Sequence, residues 1–225
     1  TPNFVSCPIS NLVLAGEKTM ADITTSYDGL RKHGVTVVID SAKAVDPAKR
    51  TVTLAKGGTL SYDRLVVSPG IDFMWDSVPG LTEAVSESKI LHAWKAGPQT
   101  VALRKQLEDM KDGGVYALCI PKGPYRCPPG PYERASMIAN YFKAKKPKSK
   151  VLILDANADV VSKGPLFKKA WTDLYSGMLE YRGNHSITKL DAASQTVEFE
   201  FGDKVKADVL NIVPAQKAGM IATAA

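Results

Sequence analysis

GVYALCIPKGPYRCPPGPYERASMIANYFKAKKPKSKVLILD, residues 114–155, is the stretch that decides the fold. Gly114 to Ile120 is a short apolar run of the length of a buried strand. Pro121 to Tyr132 is dense in proline and glycine and reads as a loop. Glu133 to Lys145 carries Ile138, Tyr141 and Phe142 on one helical face. Val151 to Leu154 is a second apolar run, ending at Asp155. Strand, loop, helix and strand within about forty residues make a βαβ unit, and strands alternating with helices predict a parallel sheet.

Outward from this unit the same alternation continues. Thr100–Met110 and Phe167–Tyr175 are predicted helices, and Val209–Val213 is a predicted strand before Pro214. Residues 187–201 alternate as a strand pair with Val197, Phe199 and Phe201 on one face. On the N-terminal side, residues 19–33 are predicted helical because Ile23, Tyr27 and Leu30 recur at spacings of four and three. Val35–Ile39 and Leu65–Val67 are predicted strands, the latter buried, and residues 44–55 and 59–67 a hairpin or meander around Pro47 and Gly57-Gly58. The turn-rich residues 71–98 mark a boundary. No repeat at a solenoid period is present.

The βαβ loop invites a dinucleotide, which needs glycines so that backbone N–H groups can meet the pyrophosphate. Here Pro121, Pro124, Pro128, Pro129 and Pro131 each remove a donor, and GxGxxG occurs nowhere in the chain. Asp155 stands where a ribose-binding acid would stand. The prediction is a nucleotide-domain fold whose nicotinamide site is lost, against a βαβ unit that never bound a nucleotide.

The loop carries Cys127 instead. It precedes a helix N-terminus, with Arg126 and Arg134 near it in sequence, and positive charge and the helix dipole both favour a thiolate. Glu133 is placed to accept or donate a proton beside it. On the residues alone, an inert loop cysteine and a redox one both fit. Cys7 reads as an ordinary thiol and Cys119, mid-strand, as a core residue. No CxxC or Cys/His spacing suits zinc, and an odd number of cysteines leaves one sulfur without an internal partner.

The net charge of +6 is spread along the chain. Its densest run, Lys143–Lys150, has no interleaved aromatics and contains Pro147, so it reads as a solvated connection rather than a nucleic-acid platform. No window approaches the ~18 apolar residues of a membrane span. An apolar content of 44% excludes a disordered chain.

Several segments resemble the flavoprotein subunit of flavocytochrome c sulfide dehydrogenase, within the two-dinucleotide-domain, disulfide-reductase-like flavoproteins. The most specific is RCPPGPYERA, Arg126–Ala135. YDGLRKHG (Tyr27–Gly34), YDRLVVSPGI (Tyr62–Ile71), HAWKAG (His92–Gly97), LRKQLEDM (Leu103–Met110) and ADVLNIVPAQKAG (Ala207–Gly219) follow the family's order. The resemblance implies an α/β fold of two Rossmann-like, FAD/NAD(P)-type three-layer domains. Residues 1–99 would be a partial FAD-binding domain, 100–205 a second nucleotide-domain-like unit carrying the redox cysteine, and 206–225 the return to the first.

It also implies roles. Cys127 matches one of two cysteines forming a redox disulfide beside the flavin, and Glu133 an acidic residue near it. Cys7, in SCPISN, matches the covalent attachment point of FAD, a thioether to the flavin 8α-methyl carbon. The implied reaction is oxidation of sulfide through that disulfide. Electrons then pass from flavin to haem c on a cytochrome subunit, in the periplasm. The partner of Cys127 would lie outside this chain. The family's glycine-rich FAD loop and second redox cysteine are not matched here, so the expectation is a fragment inactive by itself. The alternatives are a sulfide:quinone oxidoreductase, an NAD(P)H-dependent disulfide reductase, or a non-catalytic cytochrome-docking fragment.

Overall fold

The computed structural model describes residues 1–223. The chain forms two compact units, one of Thr1–Phe4, Thr24–Phe73 and Gln216 onward, the other of Val5–Ile23 and Met74–Ala215.

The second unit is built on a parallel sheet in the order Val209–Ile212, Val115–Ile120, Lys150–Asp155, Leu179–Arg182. Leu118 lies opposite Asn211 on one side and Ile153 on the other, so the apolar runs are covered laterally as well as above and below. The Gly130–Lys145 helix closes the expected βαβ unit, burying Tyr132, Ala135, Ile138, Ala139 and Phe142 along one stripe. It begins three residues before the expected start, because Pro131 is well suited to a first turn, where no N–H is needed. On the other sheet face, Ala117, Cys119, Leu154, Leu210 and Ile212 pack against Leu190, Val197, Phe199 and Val205. Those belong to an antiparallel sheet of Ile187–Asp191, Thr196–Phe199 and Lys204–Lys206. Helices, parallel sheet and antiparallel sheet are the three layers of the predicted fold class. Phe201 leaves the expected face: the strand ends at Phe199, the chain turns at Gly202, and Phe201 is 78% exposed.

Two boundaries differ from the expectation. Val209–Ile212 was expected within the returning segment 206–225, but it pairs in parallel with Val115–Ile120. All four residues are buried, although this is the edge strand, because the sheet is covered on both faces. The segments Val5–Ile23 and 74–99, expected in the first domain, pack with the second unit. The Ser10–Ala15 helix lies against the Gly130–Lys145 and Pro98–Asp109 helices, with Val13 and Leu14 buried.

In the other unit, Ala42–Asp46, Thr51–Leu54 and Thr59–Ser61 form the expected antiparallel meander. Gly57 and Gly58 turn it at φ of 95° and 96°, a region that favours glycine. Three expectations are corrected. Within 19–33 the α-helix is limited to Asp28–Lys32; Asp22 and Ser26 side chains bind nearby backbone N–H groups and give the chain local alternatives to a helix. Val35–Ile39 joins no ladder among the described residues. Leu65–Val67 is not a buried strand, and Val66 is 87% exposed. An apolar run becomes a strand only when a neighbour supplies its hydrogen bonds.

Candidate active site

The loop at 121–129 leaves the end of the Val115–Ile120 strand and is tied down at both ends. Asn157 donates from Nδ2 to Pro121 O (3.1 Å) and accepts the Gly123 N–H at Oδ1 (3.1 Å). Tyr125 Oη lies 3.4 Å from Tyr132 Oη, which donates to Asp155 Oδ2 at 2.7 Å. Asp155 also accepts from Tyr181 Oη (3.1 Å), Asn157 N (2.9 Å) and Asn157 Nδ2 (2.7 Å). Four donors fill the roughly four lone-pair sites of a carboxylate, and none is left for a ribose. Burial pushes the Asp155 carboxyl above its ordinary range, and these bonds pull it back. The acid at the dinucleotide position is a fastener of the loop.

The tied loop presents Cys127 at φ 61°, in a left-handed turn closed by Gly130 N–H donating to Cys127 O at 2.9 Å. A Cβ on Gly130 would stand 3.0 Å from Cys127 Sγ and 3.1 Å from Trp94 Cη2, so sulfur and indole edge both crowd the first residue of the helix. Arg126, next in the chain, donates to Trp94 O at 2.5 Å, and its Nη2 lies 3.8 Å from Cys7 Sγ. Cys7 Sγ also receives the Ala96 N–H at 3.4 Å. The two cysteines singled out from the sequence therefore both lie near the Arg126–Trp94 pair, Cys7 beside the guanidinium and Cys127 beside Gly130 with the indole edge. Glu133 sits half-buried in the first helical turn and acts on Cys127 through its charge.

The electrostatic expectation for Cys127 is corrected. Burial first, then the Glu133 carboxylate, push its thiol above the ordinary range; the Gly130 N–H, Arg126 and Arg134 oppose this without prevailing. Proximity of arginines in sequence does not reveal desolvation. Cys119 is buried in the core as expected, and burial pushes its thiol far up.

The sequence reading did not give a role to the scaffold behind the cysteines. Arg134 is buried and donates to Asn11 Oδ1, His92 O, Ala93 O and Asn211 Oδ1 at 2.6–3.1 Å. Asn11 Nδ2 donates to Gly130 O, and Asn211 Nδ2 to His92 O at 3.0 Å. His92 accepts the Trp94 N–H at Nδ1 (2.8 Å), and burial lowers its pKa to about 3, so the ring is neutral. Trp94 Nε1 is buried without an acceptor among the described residues. The available signal was polar residues within otherwise apolar surroundings, such as Asn211 in VLNIV; it carried no partner.

A family model described as the central part of the flavoprotein chain of sulfide dehydrogenase (flavocytochrome c) matches residues 100–214. The chain belongs to this family. Its sheet, the 121–129 loop, Cys127, Glu133 and Arg134 all fall inside the match; Cys7 and Trp94 lie outside it. The chain is 27% identical over 217 residues to a mitochondrial sulfide:quinone oxidoreductase of Dictyostelium discoideum, covering 92% of this chain and 47% of that protein. A mitochondrial sulfide:quinone oxidoreductase of Mus musculus is 23% identical over 225 residues, covering 94% and 48%. The solved sulfide:quinone oxidoreductase of Aquifex aeolicus superposes with a TM-score of 0.81 at 19% identity, covering all of this chain and 53% of that one. This flavocytochrome c sulfide dehydrogenase family chain thus spans about half the length of the curated relatives it matches.

Proposed function

We propose that the chain is part of an FAD-dependent sulfide oxidoreductase in which Cys127 is a redox cysteine and Cys7 carries the flavin as a thioether. The observation that carries this reading is the convergence of both sulfurs on Arg126 and Trp94, from positions 119 to 120 residues apart. The residues fit a flavin. Cys7 Sγ is partly accessible and lies among N–H donors, and the buried Trp94 N–H has no acceptor among the described residues. When bound, FAD takes an electron pair from sulfur and releases electrons singly.

The chain's own residues supply the sulfur chemistry. Hydrosulfide attacks the disulfide joining Cys127 to a cysteine beyond this chain. The new S–S bond leaves a persulfide on one sulfur as the old bond breaks, and the other sulfur departs as a thiolate. Glu133 holds or releases the proton that accompanies this exchange. Arg126 sits beside the developing negative charge. In the whole protein the electrons pass to haem c on a cytochrome subunit, and a periplasmic location, to be checked by cell fractionation, belongs to the same reading. By itself the 225-residue chain is expected to be inactive.

The test is sulfide-driven bleaching of the flavin in the full-length subunit, followed by stopped flow, with Cys127→Ser beside wild type. The expected result is loss of bleaching in the variant; reduction at the normal rate sinks the proposal. Peptide mass spectrometry of the same preparation should place a flavin adduct on the Cys7 peptide. A second reading, electron transfer to a quinone, is favoured by the names of the two curated relatives. Sulfide-dependent reduction of a soluble c-type cytochrome, compared with a short-chain quinone, separates the two acceptors.

A further inference from the structure

Arg134 is a buried cation with no counter-charge among the described residues. Its side chain is 2% exposed, and every acceptor it uses is neutral: two backbone carbonyls and two side-chain amides. Such a charge is costly to bury, and a site needing only a strut would do as well with apolar packing or an ion pair. Burial pulls its pKa down, yet a guanidinium starts so high that it stays protonated. What the fold keeps at this position is therefore positive charge that no carboxylate cancels.

The charge is aimed by geometry. The guanidinium carbon lies 4.9 Å from the centre of the Trp94 ring, whose Cη2 edge flanks Gly130 as Cys127 Sγ does, and Asn11, held by Arg134, donates to the carbonyl of Gly130, whose N–H closes the Cys127 turn. The same guanidinium grips Asn11 on the Ser10–Ala15 helix and the carbonyls of His92 and Ala93, so it fixes the segments that carry Cys7 and Trp94. We infer that Arg134 is a positioning residue for Cys127: it clamps the Trp94 segment against the cysteine turn and holds an uncancelled charge behind the sulfur, keeping the thiolate within reach. This deepens the proposed role of Cys127 and rests on it.

Among the described residues, Tyr125 on the same loop feels the charge of Cys127, and burial holds its hydroxyl protonated. Glu133, on the same helix, opposes the thiolate; Arg126 on the loop and Arg134 support it. On the segment opposite, His92 is neutral and Lys95 carries a charge that acts on His92. Burial and Glu133 already raise the thiol, so removing Arg134 should raise it further.

The test is the pH dependence of Cys127 alkylation by iodoacetamide in the reduced full-length flavoprotein chain, read peptide by peptide by mass spectrometry. Arg134→Met is expected to move the midpoint up by about one unit, roughly tenfold slower labelling below the midpoint. Arg134→Lys keeps the charge and should hold the midpoint near wild type. Asn11→Asp keeps an acceptor for Arg134, gives up the Nδ2 bond to Gly130 O and adds a carboxylate that cancels the charge, and should raise the midpoint as Arg134→Met does. A folded Arg134→Met or Asn11→Asp, judged by thermal melting, with an unmoved midpoint overturns the inference. So does Arg134→Lys shifting as far as Arg134→Met. If Arg134→Met does not fold, Asn11→Asp decides. Labelling needs neither flavin nor sulfide, so a shifted midpoint beside an active Cys127→Ser variant would reject the redox role of Cys127 while retaining its coupling to Arg134.

Discussion

Tyr132→Phe removes one hydroxyl from the fastener of the cysteine loop and leaves the ring in place. The ring still packs against Phe167 and Trp171, at centroid distances of 5.7 and 6.3 Å, so no large cavity opens. What is lost is the 2.7 Å bond to Asp155, the Val161 N–H at 3.2 Å and the weaker contact with Tyr125 at 3.4 Å. A hydrogen bond to a charged group contributes ~1.5–3 kcal/mol and a neutral one ~0.5–1.5 kcal/mol. The expected cost at pH 7 is therefore about 2–4.5 kcal/mol, most of it from the carboxylate bond. Asp155 has a folded-state pKa raised above its unfolded value, mainly by burial. Its contribution to stability is complete below the unfolded value and is lost as pH rises through the folded one. Tyr132→Phe removes a bond to the charged form, raises the folded value further and steepens that loss. The gap between wild type and variant should thus widen from acid to neutral pH. Urea unfolding of the full-length chain at pH 3.5, 5 and 7 measures it. A gap under about 1 kcal/mol at pH 7, by the same bond estimate, or one that widens toward acid, would refute the reasoning.

Gly130→Ala would drive a methyl to 3.0 Å from Cys127 Sγ and 3.1 Å from Trp94 Cη2; overpacking of this kind costs ~1–3 kcal/mol, and a lowered thermal midpoint with altered Cys127 alkylation is expected. Phe142→Ala empties a fully buried position between helix and sheet and should cost ~3–5 kcal/mol in urea unfolding. His92, with its pKa lowered by burial to about 3, should show no titration of its ring proton resonances between pH 5 and 8. Because its folded value is depressed, its contribution to stability is present above the unfolded value of 6.5 and is lost as pH falls from there toward 3.

The βαβ unit was legible because each of its parts is specified locally. Apolar runs of strand length, a proline-rich loop and a single helical stripe in 114–155 leave little freedom, and the structure follows them within a few residues. Val35–Ile39 and Leu65–Val67 have equally strong apolar runs and were misread, since their state depends on a neighbouring strand. Phe201 failed for a related reason: alternation continues on paper past Phe199, while Gly202 turns the chain. In the site, Cys7, Cys127 and Glu133 could be singled out by residue type and by resemblance. The direction of the Cys127 shift could not, because desolvation belongs to the folded surroundings of the sulfur.

By itself the sequence determined the alternation of strand and helix, the unsuitability of the 121–129 loop for a pyrophosphate, and the cysteines worth watching, since periodicity and the missing N–H of proline are properties of the chain. Only the tertiary structure decided that Asp155 fastens that loop, that Cys7 and Cys127 both come near the Arg126–Trp94 pair, and that Arg134 is buried on neutral acceptors. Hydrogen-bond saturation, burial and the summed field at a sulfur come from groups as far as 123 residues apart, and no local pattern encodes which of them will meet.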